Sequence, residues 1–319
     1  MGTLGNILKA DNYKKDEVVQ VTDEDIAVIQ KRLLKVLDDI VYTCKKHRIH
    51  FQMSGGSCLG TVRHSGFIPW DDDIDINIYR KDIKRFLDAF SKEFSDKYWI
   101  HIPGETPNYD FLYVRILTKD VRARDIMDPD KKECGLGTDI FIVENTFDNK
   151  ILRKIHGLVY MGFRYILSCI RFKKNKEELE RIMKSAGELN KITKKRVFLG
   201  KVFSVIPVRI WSKLAIKWAA ICRNNHTKYV TIPAGMKQFF EEMYERKPFA
   251  KSISHDFEGR KVLISADYDT YLTKLYKDYM TVPPKEKQER HVMMELDKEA
   301  LYNSVDRGDM TVSVEGANS

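Results

Sequence analysis

Met53-Ser-Gly-Gly-Ser-Cys-Leu-Gly-Thr-Val-Arg-His-Ser-Gly-Phe-Ile-Pro-Trp-Asp-Asp-Asp-Ile-Asp-Ile-Asn-Ile-Tyr79 joins a glycine turn to an acidic strand. The turn, Ser54 to Ser57, carries two glycines that free the backbone to aim N–H groups at an anion. The far end, Asp73-Ile-Asp-Ile76, alternates acid and aliphatic. On a strand, that period of two puts Asp73 and Asp75 on one face and the isoleucines on the other. Neighbouring carboxylates repel unless a cation sits between them. Mg2+ is the usual cation, and it normally serves substrate phosphates. The segment therefore reads as a phosphate cradle followed by a metal-holding strand. Two plainer readings compete with it. An acidic run is often a solvated turn. Asp71, Asp73 and Asp75 also have the spacing of a calcium loop, but Ile76 stands where that loop needs glycine and Asp82 where it needs glutamate.

Upstream, Thr22 is placed to cap a helix whose first turn is acidic. Ile26, Ile29, Leu33, Leu37, Ile40 and Cys44 recur at helical spacing to about Arg48. Ile49 to Met53 is the expected first strand. Downstream, a second helix is expected from Lys81 to Phe94, then strands over Tyr98 to Ile102, Phe111 to Leu117 and Val121 to Ile126. Gly135-Leu-Gly-Thr-Asp-Ile-Phe-Ile-Val143 is a further strand with a lone aspartate at its start. Phe257 to Arg260 reads as a turn before a strand over Val262 to Ile264.

Hydrophobic residues at 43% suffice for a packed core in a chain of 319 residues, which excludes global disorder. The five cysteines are scattered and form no C-x-x-C pair, so neither a zinc cluster nor a disulfide framework is signalled. That usage suits a reducing cytoplasm. The start of the chain lacks the build of a signal peptide, and no run of apolar residues is long enough to span a bilayer.

The charge is uneven. Lys150 to Arg223 holds 19 Lys and Arg against four Glu, a local +15 in a chain whose total is +9, so the remainder is acidic. Ile151 to Phe172 and Val197 to Arg223 are apolar and aromatic with interspersed cations, separated by a charged helical stretch from Lys174 to Arg196. Amphipathic basic segments of this kind lie on membrane surfaces. The expected partner is therefore an anionic membrane, with Arg164, Arg171, Lys173 and Lys174 as lipid-facing cations; solvated core helices are the plainer reading. No nucleic-acid-binding motif accompanies the charge, so nucleic acid is not an expected partner.

Gly60-Thr-Val-Arg-His-Ser-Gly-Phe-Ile-Pro-Trp-Asp-Asp-Asp-Ile-Asp75 resembles the signature of the LicD family of phosphocholine transferases. That family is similar to the polymerase-beta-like nucleotidyltransferases and is related to the fukutin-related sugar-phosphate transferases. Gly135 to Val143 resembles a second family segment, with Ile142 where proline is usual. Asp267 to Met280 and the Pro283-Pro284 segment resemble the family's end, with Lys277 in place of a glycine. The likeness covers roughly residues 25 to 295 in patches.

The resemblance implies an α/β (α+β) fold: a nucleotidyltransferase-like mixed sheet flanked by helices, with an inserted basic helical region. The expected organisation is an extension over 1–21, a catalytic core over 22–149, the basic region over 150–230, a return to the catalytic unit over 231–302, and a flexible tail over 303–319. The resemblance also implies Asp139 as a third metal carboxylate beside Asp73 and Asp75, holding Mg2+ or Mn2+. Gly55, Gly56 and Ser57 would bind phosphate, and Arg63, placed in a loop, would stabilise transition-state charge. His64, Trp70 and Arg115 are candidate substrate contacts. Asp72, or its neighbour Asp71, is the candidate base for the acceptor. The implied reaction moves phosphocholine or a related phospho-polyol from a CDP-linked donor to a hydroxyl of a cell-surface or secreted glycan, teichoic acid or lipopolysaccharide precursor, free or lipid-linked, in the cytoplasm or at the inner face of the membrane. Two alternatives stand beside it: a nucleotidyltransferase releasing pyrophosphate, and a non-catalytic, membrane-associated glycan-binding protein.

Overall fold

Helix α1, Asp23–Lys46, begins on a reciprocal cap: the Thr22 hydroxyl accepts from the Asp25 N–H at 3.1 Å, and the Asp25 carboxylate accepts from the Thr22 N–H at 2.8 Å. Its apolar stripe of Ile29, Leu33, Val36, Leu37 and Ile40 is fully buried. The computed structural model describes residues 14–126, 128, 132–182, 190–288 and 291–303. Residues 1–13 of the expected extension and 304–319 of the expected tail lie outside them. From Lys14 onward the expected loose arm is tied down. The Lys14 N–H donates to the Ile182 carbonyl at 2.7 Å and the Val19 N–H to the Met293 carbonyl at 2.9 Å.

After α1 come β1 (Phe51–Met53), α2 (Gly55–His64), β2 (Ile74–Tyr79), α3 (Arg80–Phe94), β3 (Tyr98–His101), β4 (Val114–Thr118), β5 (Ala123–Asp125) and β6 (Gly137–Asn145). The basic helices follow: α4 (Lys150–Lys174), α5 (Lys176–Ile182), α6 (Asn190–Phe203) and α7 (Val208–Ala219). The chain then returns through β7 (Tyr229–Thr231), α8 (Gln238–Glu241), β8 (Met243–Glu245), α9 (Arg246–Ala250), β9 (Ser252–Phe257), β10 (Arg260–Ser265), α10 (Tyr268–Tyr276), β11 (Met293–Leu296) and α11 (Lys298–Asn303).

The main sheet has the order β1-β2-β6-β4-β3, with β7 on the far end of β6 and β8 on β7. Only β2 and β6 pair in parallel; the other pairs of this mixed sheet are antiparallel. Its core is continuous with α1 and with Tyr244, Phe257, Ile264 and Leu272 from the chain's last third. The α/β expectation therefore holds.

Several boundaries move. The expected strand over Phe111 to Leu117 begins only at Val114, because the Phe111 ring instead stacks beneath the Arg171 guanidinium at 4.0 Å. Val121 to Ile126 shrinks to Ala123–Asp125, where the Asp128 carboxylate accepts the Asp125 N–H at 2.7 Å and turns the chain. The hairpin β9–β10 bears out the turn read near Phe257.

Helices α6 and α7 lie along α4. Arg196 stacks on Phe172 at 4.8 Å, Trp211 lies 6.4 Å from Phe163, and Trp218 lies 6.3 Å from the His156 ring, through an edge contact. Along α7 rising numbers meet falling ones, so that helix runs antiparallel to α4. Beneath them Tyr160, Leu167, Ala215, Ala219 and Phe239 form a separate cluster. Two of the expected lipid-facing cations are structural instead. Arg164 donates to the Pro233 carbonyl at 2.8 Å, and Arg171 pairs with buried Asp110 at 2.7 Å.

Candidate functional site

The site begins with strand register. In the parallel pair β2–β6, Asp75 faces Asp139, and in the antiparallel pair β4–β6, Arg115 faces Asp139. Paired residues on adjacent strands share a face of the sheet. Three strands thus set Asp75, Asp139 and Arg115 side by side, with Asp73 immediately before β2. Arg115 Nε donates to Asp139 Oδ1 at 3.0 Å, and its Nη1 pairs with Asp128.

The carboxylates are short of positive charge. Burial raises the Asp75 pKa well above the ordinary range, and Asp73, Asp139 and Asp71 push it further. Burial likewise raises Asp73 to about 6, with Asp72 and Asp139 adding to the shift and His291 opposing it. Asp71 is raised by burial and then by Asp73 and Asp72, and Asp139 by burial against the opposing pull of Arg115. Burial works against the Arg115 charge, but Asp128 and Asp139 outweigh it and hold the guanidinium firmly protonated.

A set of hard oxygen donors that repel one another suits a divalent cation such as Mg2+. In position, however, the donors are apart. Among the described residues, no three His, Cys, Asp or Glu side chains are gathered so as to hold a metal. Arg115 occupies Asp139, and the Asp72 carboxylate is bound by His291 Nδ1 at 2.7 Å. Register brings Asp75 and Asp139 together, with Asp73 just before β2, so the donor set suits the ion in chemistry although its oxygens are not gathered around one point.

The glycine turn differs from its sequence reading. Gly55 to His64 is a helix, α2, so Arg63 lies in its last turn rather than in a loop. Gly55 has φ +47°, and a Cβ there would sit 2.5 Å from Asp75 Oδ2; a Cβ on Gly56 would sit 2.7 Å from Asp71 Oδ2. The two glycines therefore make room for the acids, which lie against the positive end of the helix. The Ser57 hydroxyl accepts the Asp75 N–H at 2.9 Å, and the Gly55 N–H donates to the Tyr271 hydroxyl at 2.8 Å. In this arrangement both groups position the strand and helix.

At the far end of α2, Arg63 Nη1 donates to the Tyr279 carbonyl at 2.8 Å, and its Nε donates to His64 Nε2 at 2.9 Å. Trp70 is half-buried against the main core. Two residues of the site had no assigned role in the sequence. Tyr271 bridges Gly55 N and Ser54 Oγ, and His291 joins Asp72 at 2.7 Å and approaches Asp73 at 3.7 Å. His291 is held protonated by Asp72 first, against the cost of burial, and also by Asp73. No local pattern marks it, since its partner is separated by 219 positions. Asp72, Asp73, Arg115, Arg124, Asp128 and His291 line a common cleft.

Residues 48–146 match the model of the LicD/FKTN/FKRP nucleotidyltransferase domain. The chain is 26% identical over 264 residues to the lipopolysaccharide cholinephosphotransferase LicD of Haemophilus influenzae, a match covering 82% of this chain and 94% of that protein. It is 37% identical over 60 residues to the mouse ribitol-5-phosphate transferase FKTN, across 19% of this chain and 13% of FKTN. Human ribitol 5-phosphate transferase FKRP is 46% identical over 35 residues, covering 11% of this chain and 7% of FKRP. Residues 48–146 therefore carry the likeness to the LicD/FKTN/FKRP nucleotidyltransferase domain, and the match to the lipopolysaccharide cholinephosphotransferase extends a likeness along most of the chain.

Proposed function

We propose that this phosphotransferase moves phosphocholine, or a related phospho-polyol, from a CDP-linked donor to a hydroxyl of a glycan or lipid-linked glycan, with Mg2+ or Mn2+ held by Asp73, Asp75 and Asp139. The observation that carries the reading is the three-strand register of Asp75, Asp139 and Arg115. The likeness to a lipopolysaccharide cholinephosphotransferase along most of the chain supports the choice of head group and acceptor.

In this reaction the acceptor oxygen bonds to the distal phosphorus, the bond from that phosphorus to the bridging oxygen breaks, and CMP leaves. The metal would neutralise charge on the pyrophosphate oxygens. Arg115, fixed between Asp128 and Asp139, adds permanent positive charge beside them. The acceptor's proton goes to a neighbouring carboxylate. Asp72 is committed to His291, whereas burial raises the proton affinity of Asp71, the direction a base requires.

Incubation with CDP-choline, CDP-glycerol or CDP-ribitol, a glycan acceptor and Mg2+ should release CMP and label the acceptor. Metal-dependent release of pyrophosphate from CTP, with no CMP from any CDP-linked donor, would replace this reading with nucleotidyl transfer.

A further inference from the structure

Helices α6 and α7 leave an apolar row uncovered. Phe198 and Val202 on α6, Val205 and Ile206 in the turn between the helices, and Ile210 and Leu214 on α7 are all exposed, Phe198 at 66% and Val205 at 83%. Helix α4 adds exposed Ile151, Ile155 and Leu158 from its first half. Side chains of this size are normally packed inside, and a contiguous apolar row on a surface marks a docking site. The cations beside the row are exposed too. Lys201, Lys213 and Lys217 make no ion pair among the described residues, and the sequence from 189 to 223 contains no acid. No helix among the described residues is long and apolar enough to cross a membrane.

We propose that the outer face of α6 and α7, with the first half of α4, docks flat on a bilayer carrying anionic headgroups. The charge pattern selects this occupant. A second copy of the chain would bring the same row of cations face to face across a two-fold axis. A nucleic acid would use the lysines but leave the aliphatic row in water. An anionic bilayer satisfies both, taking the aliphatic side chains into its headgroup region and attracting the lysines from outside. Arg164 and Arg171 have no part in this face, because buried carbonyls and Asp110 hold them. The inference rests on the helices alone and is independent of the chemistry assigned to the carboxylates.

The test is sedimentation of the full chain with vesicles of phosphatidylcholine containing phosphatidylglycerol, and with phosphatidylcholine alone. The wild type should bind the anionic vesicles at low salt and release at high salt. Val205→Glu with Ile210→Glu should weaken binding about tenfold or more, and Lys201→Gln, Lys213→Gln and Lys217→Gln together about tenfold. All these positions are solvent-facing, so circular dichroism and melting should match the wild type. CMP release with a soluble acceptor should persist, which separates this face from the carboxylate site. Failure of the wild type to sediment at low salt overturns the proposal, as does undiminished binding by the Val205→Glu, Ile210→Glu variant. A concentration-dependent dimer abolished by that variant would instead assign the row to self-association.

Discussion

Asp139 has Asp75 on one flank and Arg115 on the other, and that asymmetry sets what a substitution does. Asp75 is half-buried, and the charged groups around it are mostly acids. Asp75→Asn removes repulsion and keeps the shape, so folding stability should be unchanged or higher. Transfer should fall about a thousandfold, by analogy with losing one preorganised charge-stabilising group. Asp139→Asn should cost stability as well, about 1–3 kcal/mol, because Arg115 loses a buried charged partner. Calorimetry with CMP release separates the two; near wild-type turnover in folded Asp75→Asn would remove that residue from the reaction. A pH effect belongs to Glu242, far from these carboxylates in sequence. Burial raises its carboxyl from 4.5 to about 7, against the hydrogen bond it accepts from Lys237 N–H. The folded chain therefore keeps this proton longer than the unfolded chain. The contribution is fully present below about pH 4.5 and is lost as pH rises through 7, on the order of 3 kcal/mol. Glu242→Gln should flatten that slope in urea titrations at pH 5 and 8; equal slopes in both proteins would refute the assignment. At this scale the acids were legible, because a period of two and a lone strand aspartate are local signals. The Tyr271 and His291 contacts were not, since each spans more than 200 positions.

Helices and strands show the same division between local and distant causes. The Thr22 cap and the stripe of α1 could be read directly, since both depend on residues within one or two turns. The start of helix α2, Ser54 to Ser57, was read as a turn and Arg63 as a loop residue, because two adjacent glycines free the backbone and disfavour a helix. What favours the helix is remote: Asp75 and Asp71 need the space beside its first turn, and Tyr271 holds its first N–H. Strand β11 and helix α11 carry weak patterns of their own. They form because β11 pairs with β5 and because buried Arg32 donates to the Leu301 carbonyl at 2.8 Å and to that of Ala300. The end of α10 tests a local rule. Lys277 follows the helix with φ 62° and ψ −108°, a conformation suited to glycine, and its side chain is exposed. Lys277→Gly should raise stability by about 1 kcal/mol, the relief of strain exceeding the added entropy of the unfolded chain. Chemical denaturation measures it, and a loss of stability would show that Lys277 makes a contact worth more than the strain.

Across the whole molecule, the segment that matches the family model is smaller than the unit that folds. Residues 48–146 contain the carboxylates and β1 to β6, yet the core under that sheet includes Ile29, Leu33, Val36 and Leu37 from α1. It also includes Tyr244, Phe249, Phe257, Ile264 and Leu272 from the last third of the chain. Cutting at 48 and 146 would expose these contacts, and losing one large buried side chain from such a core typically costs about 2–5 kcal/mol. Total stabilities of domains are only about 5–15 kcal/mol, so the loss of many such contacts exceeds what the segment could bear. The same cut removes Tyr271, which holds α2, and His291, which pairs with Asp72. A chain limited to residues 48–146 should therefore melt without a cooperative transition and lack dispersed side-chain NMR signals, while 14–303 should melt as one unit. A sharp, reversible transition in 48–146 would show that the sheet needs neither flank, and the close fit of α1 against it would then be secondary packing rather than part of the folding unit.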